Sequence, residues 1–118
     1  MDYEFDTLQI DIAGSVLTAT INNPPVNVMT TPLYMDLVNF TSQVEQDDRI
    51  KVVVFDSADP DFFIAHFDVE AILQFPVDSP AEKSMEMSDF HLMCERVRTM
   101  PKATIVKMAG RAGGGGNE

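Results

Sequence analysis

The chain has 118 residues, 45% hydrophobic and 23% charged, which fits one soluble globular domain with a modest core. A formal charge of −11 works against nucleic acid and anionic membranes, which call for basic patches, and no apolar run reaches the length of a membrane span. One cysteine, Cys94, cannot staple the chain, and the acidic start Met1-Asp2-Tyr3-Glu4-Phe5-Asp6 lacks the order of a signal peptide, so a reducing cytoplasm is the expected compartment.

Leu8, Ile10 and Ile12 alternate with polar neighbours, and Val16 to Ile21 repeats the pattern after Ala13-Gly14-Ser15, which predicts a hairpin over residues 7–22. Asn22-Asn23-Pro24-Pro25 ends the second strand, because proline cannot donate to a ladder. Thr30-Thr31-Pro32 starts a helix with a hydroxyl cap and an early proline; Leu33, Leu37, Phe40 and Val44 share its apolar face, and Asp47-Asp48 ends it. The β-branched and aromatic run Ile50 to Phe55 predicts a strand covered on both sides, as in a parallel sheet.

Ser57 to Asp61 is a turn cluster, followed by a loop over residues 62–69. Ser79-Pro80-Ala81-Glu82 has the spacing of a capping box, so a helix is expected from about Pro80 to Arg98 with Met87, Phe90, Cys94 and Val97 on one side. Met100-Pro101 closes it, and Ala103 to Met108 forms a fourth short strand. Two βα crossovers between apolar strands argue an α/β fold in a single unit, residues 1–118.

Two segments carry the chemistry. Loops 62–69 and 109–118 each follow an apolar strand, and ligands of open parallel sheets collect beyond the carboxyl ends of the strands, so the two loops are expected to face one site. In Arg111-Ala112-Gly113-Gly114-Gly115-Gly116-Asn117-Glu118, four glycines bare the backbone N–H groups, and a carboxylate two positions on is a candidate proton carrier. Three readings stand for the glycines: a phosphate cradle, an oxyanion hole, or a flexible tail. Neither a G-x-G-x-x-G fingerprint nor a Lys-Ser/Thr after the glycines is present, which leaves the phosphate reading without its specific motifs. An anionic ligand would draw on these N–H groups or on Lys102, Lys107 and Arg111. His66 is read as packing or hydrogen bonding structurally, with a proton shuttle as the alternative. His91 is placed mid-helix, at the surface or partly buried, and Cys94 is assigned to the core rather than to nucleophilic chemistry.

Asn23-Pro24-Pro25-Val26-Asn27-Val28, Lys51 to Phe55, Phe63-Ile64-Ala65-His66-Phe67-Asp68-Val69 and Pro101 to Glu118 together resemble, in order and spacing, the enoyl-CoA hydratase/isomerase (crotonase) family. Family members are longer, and the resemblance covers their N-terminal half. It implies a crotonase-like α/β fold of ββα units, a spiral sheet with covering helices, truncated here at the site. It also implies an acyl-CoA thioester as substrate, with no covalently bound cofactor and no metal. By position, the backbone N–H groups of Phe67 and Gly115 would form the oxyanion hole, and Glu118 would be the catalytic carboxylate. The family's second glutamate lies later and has no counterpart. Val26, Val28, Ala65, His66, Asp68, Val69 and Gly114 would line the CoA and substrate site, with Asp68 also suited to cap a helix over residues 69–75. The family's Ala-Gly-Ala-Asp stands here as Ala65-His66-Phe67-Asp68, which adds bulk beside the thioester. The resemblance further implies a homo-oligomer, a trimer or dimer of trimers. The alternative reading is a non-catalytic, truncated, oligomerising module without a complete site.

Overall fold

The computed structural model describes residues 2–118. The hairpin forms as expected: β1 (Leu8–Ala13) pairs antiparallel with β2 (Val16–Ile21), from Leu8 opposite Ile21 to Ala13 opposite Val16. After the proline-rich loop, α1 (Thr31–Gln46) starts at the Thr30 cap, whose hydroxyl accepts from the Leu33 N–H at 3.4 Å, and ends at Asp47. The chain then enters β3 (Val52–Ser57), which lies parallel to β2, and later β5 (Ala103–Val106), parallel to β3. The sheet order is β1-β2-β3-β5.

One face of this sheet is packed. Leu17, Ala19 and Ile21 of β2 and Val53 and Phe55 of β3 meet Leu33, Leu37, Phe40 and Val44 of α1 in a single buried cluster. Phe40, fully buried, is ringed edge-on by Tyr3, Phe5 and Phe55 with centroids 5.9–6.1 Å apart. Such burial stabilises by about 2–3 kcal/mol per large side chain.

The other face departs from expectation. β3 is not covered on both sides: Val52 and Val54 remain half-buried, and every residue of β5 is exposed at the open edge of the sheet. The apolar composition of β3 therefore outruns the cover available to it.

The helix expected from Pro80 is also shorter than its sequence signal. α3 runs Asp89–Thr99, capped by Ser88, whose hydroxyl accepts from the His91 N–H at 3.4 Å. Residues 80–88 are not helical, and the Ser79 capping box is unused. Met85 and Met87 are exposed there, so no buried face repays the cost of helix nucleation. His91 accordingly sits in the first turn of α3, with Nδ1 2.8 Å from Ser88 Oγ, not mid-helix. Met93, Phe90, Cys94 and Val97 form the packed side of α3.

Two short elements lie where loops were expected. β4 (Phe62–Ile64) and β6 (Arg111–Ala112) pair in parallel as a separate two-stranded sheet. Between them in sequence, α2 (Val69–Ile72) forms a single capped turn after Asp68.

A polar knot closes the end of α1. Asp47 accepts from the Tyr3 hydroxyl at 2.7 Å and from Arg49 Nε and Nη2 at 3.0 and 2.8 Å, while Lys102 Nζ donates to the Asp47 and Ile50 carbonyls. The Arg49 guanidinium first, then the Tyr3 hydroxyl, hold the Asp47 carboxyl far below the usual carboxylate range. A depressed folded-state value contributes stability that is full above the ordinary value of about 4 and fades as pH falls below it. Asp47→Asn is expected to lower the thermal midpoint at neutral pH and to flatten its decline below about pH 4; parallel, equally steep acid limbs in thermal melts of the two proteins would remove Asp47 from acid sensitivity.

Candidate active site

Asn27 organises the site. It is 2% exposed and adopts φ 56°, a left-handed conformation that asparagine tolerates better than most residues. Its Nδ2 donates to Ser57 Oγ at 2.7 Å and to the Phe63 carbonyl at 3.1 Å, and its Oδ1 accepts from the Asn23 N–H at 2.8 Å. One side chain thus joins the proline loop, the end of β3 and β4. Asn23 completes the loop by donating from Nδ2 to the Val28 carbonyl and Thr30 Oγ1. Nothing but its place in the Asn-Pro-Pro-Val-Asn-Val stretch singled out Asn27 in the sequence.

The next residues form a parallel bridge between Met29 and Phe67. Met29 donates its N–H to the His66 carbonyl at 2.7 Å, and Asp68 donates to the Met29 carbonyl at 3.0 Å. In a parallel bridge the flanking residues make the bonds, so the N–H of Phe67 points to the opposite edge. On that edge lies the glycine run. A Cβ placed on Gly114 would sit 3.8 Å from the Phe67 nitrogen.

The glycine run is anchored by β4. Arg111 donates to the Asp61 carbonyl at 2.9 Å and Gly113 to the Ile64 carbonyl at 3.0 Å. Gly114–Gly116 then make one turn of 3-10 helix, closed by Gly116 donating to Gly113 and Asn117 to Gly114. Gly114 takes φ 51°, and a Cβ on Gly116 would lie 2.7 Å from both Cβ and carbonyl oxygen of Ile64, so these positions exclude side chains. Among the described residues, neither the Phe67 N–H nor the Gly115 N–H has a hydrogen-bond acceptor.

Two cavities adjoin this point. One, of about 670 Å³, is walled by Met29, Phe63, Ile64, Phe90, Cys94 and Val97 among others. The second, of about 760 Å³, is bordered by Tyr34, Met35, Phe67, Ile72, Phe75 and Phe90. Gly115 and Glu118 line both. Burial chiefly, and then the nearby Glu118 and Glu95 charges, push the Cys94 thiol up, which disfavours the thiolate.

The remaining expected residues divide. Asp68 caps α2, its Oδ1 accepting from the Glu70 N–H at 3.1 Å. Ala65 donates to the Asn27 carbonyl at 3.4 Å, and its own carbonyl lies under Gly113. His66 is exposed, lines neither cavity, and its Nδ1 lies 2.7 Å from the Phe67 carbonyl, a structural hydrogen bond. Val26 and Val28 are half-buried in the proline loop, and Val69 is exposed at the start of α2; none of the three lines either of these two cavities. Of the cations, Lys102 is committed to the polar knot, Lys107 lies 3.8 Å from Asp56, and the Arg111 guanidinium sits 5.7 Å from the Phe62 ring centroid. Among the described residues there is no cluster of three or more His, Cys, Asp or Glu able to hold a metal, and no helix long and apolar enough to cross a membrane.

A sequence profile of the enoyl-CoA hydratase/isomerase family matches residues 11–118. The chain belongs to that family. A protein of Streptomyces avermitilis described as an enoyl-CoA hydratase superposes with a TM-score of 0.77 at 33% identity, over 96% of this chain and 42% of its own length. DspI of Pseudomonas aeruginosa gives 0.76 at 25% identity, again over 96% and 42%. Enoyl-CoA hydratase from Bacillus anthracis gives 0.77 at 20% identity over 94% and 43%, a likeness of fold. The α/β architecture is thus the crotonase fold, and the chain spans less than half the length of these family structures.

Within this family member, Asn27 is the residue on which the site geometry hangs. Asn27→Gly keeps the left-handed backbone but strands the Asn23 N–H and the Phe63 carbonyl. A loss of about 2 kcal/mol or more is expected in urea unfolding; an unchanged midpoint would show that the knot does not hold the loop.

Proposed function

We propose that this chain binds an acyl-CoA thioester and polarises its carbonyl between the N–H groups of Phe67 and Gly115. The observation that carries this reading is that both N–H groups lack an internal acceptor and belong to residues bordering one cavity, beside Glu118. A thioester carbonyl oxygen accepts two such donors, and they bind it more strongly as it gains negative charge. Each donor of this kind is worth about 10²–10³ in rate. Charge that moves onto the oxygen acidifies the α-carbon and makes the β-carbon of an enoyl group electrophilic. Glu118, exposed to the cavity, then carries a proton to or from the acyl chain or a water. The reaction class is hydration or isomerisation of an enoyl thioester.

Membership of the family supports the reading, as does the position of the glycine run at the carboxyl edge of the strands. The open β5 edge, with Ile105 and Val106 exposed, favours self-association as part of the same reading; sedimentation showing only monomer at high concentration would remove that part.

Calorimetric titration with butanoyl-CoA is expected to give saturable binding, and a flat titration would sink the thioester reading. In a turnover-competent form of the protein, Glu118→Gln should retain that binding and lower hydration of an enoyl thioester by about 10²-fold or more. Unchanged turnover would take Glu118 out of the mechanism.

A further inference from the structure

We infer that the acyl pocket beside Gly115 is shaped for a ring-bearing acyl group, an aryl-substituted thioester, rather than a straight alkyl chain. This inference rests on the thioester reading above and narrows it to a substrate class.

The second cavity has an aromatic wall. Tyr34 of α1 meets Phe67 edge-on, with centroids 6.3 Å apart at 66°, and stacks on Phe90 of α3 at 6.3 Å and 26°. All three rings line the cavity, and Phe75 adds a fourth. The wall reaches the point where the carbonyl would be held. Phe67 offers one of the two N–H groups, and Phe90 Cζ would lie 3.7 Å from a Cβ on Gly115, which offers the other. A ring attached a few bonds from the thioester carbon would therefore meet Phe90 and Tyr34, with the Met29 thioether also 3.5 Å from a Cβ on Gly115.

The three rings are only partly buried and pack against the edge of the buried core. Each leaves surface turned to the cavity. An alkyl chain would gain from this wall no more than it gains from leucine or methionine. An aryl group gains the further offset-stacked and edge-to-face terms that aromatic pairs provide beyond area burial.

The test compares phenylpropanoyl-CoA with heptanoyl-CoA, two saturated thioesters of similar apolar size, by calorimetric titration of the 118-residue chain. The aryl thioester is expected to bind on the order of tenfold more tightly. Phe90→Leu, which keeps an apolar side chain but removes the ring, is expected to weaken the aryl thioester more than heptanoyl-CoA and so bring the ratio towards one. Tyr34→Leu, from the other side of the stack, should act in the same direction. Equal affinities in the parent protein overturn the inference alone, as does a ratio preserved in both variants. If either variant fails to fold by circular dichroism, the parent ratio decides. If neither thioester binds, the thioester reading falls and this inference with it.

Discussion

The buried amide of Asn27 is the constraint on which the rest depends. Its polar atoms have left water, so each must find a partner, and the partners come from three separate segments. The proline loop, the end of β3 and the middle of β4 are held together by this shared set of bonds. Through that knot the Met29–Phe67 bridge is set, and through the bridge the direction of the Phe67 N–H. An apolar contact in the same place would tolerate sliding; a set of directed hydrogen bonds does not.

The glycine run depends on the same frame from the other side. β6 can add to β4 only because β4 is already fixed, and Gly116 can lie on Ile64 only because it has no side chain. The result is an unpaired amide on each of two backbones that approach closely at Gly114. Unpaired amides in a half-covered site are costly to an isolated fold and useful to a ligand. The net charge of the chain is strongly negative, so an incoming anionic group meets little help from side chains. Lys102, Lys107 and Arg111 each have a partner within the fold, so under the thioester reading proposed above the backbone N–H groups are the donors to an incoming carbonyl.

Most of the fold could be read along the chain. The hairpin, the capped start of α1 and its Leu33, Leu37, Phe40, Val44 face, and the parallel crossovers all follow from local pattern, and the crotonase resemblance is borne out by the family match. The failures share a cause. The Ser79 capping box promised helix from residue 80, but with Met85 and Met87 finding nothing to pack on, α3 begins at Asp89. β4 and β6 are too short to show a periodicity, and each exists because the other is there. The β-branched run of β3 suggested two covered faces, yet only one is covered. Local signals report what a segment can do, and burial decides what it does.

By itself the sequence determined the family and the order of the main elements, because periodicity, caps and motif stretches are written within a few residues of one another. Tertiary structure alone decided that Asn27 is the organiser, that His66 turns its ring to a backbone carbonyl and not to a cavity, and that Tyr34, Phe67 and Phe90 form one wall. Those facts join residues dozens of positions apart. Their cause is the pairing of buried polar groups and the packing of rings, neither of which exists until the chain has folded.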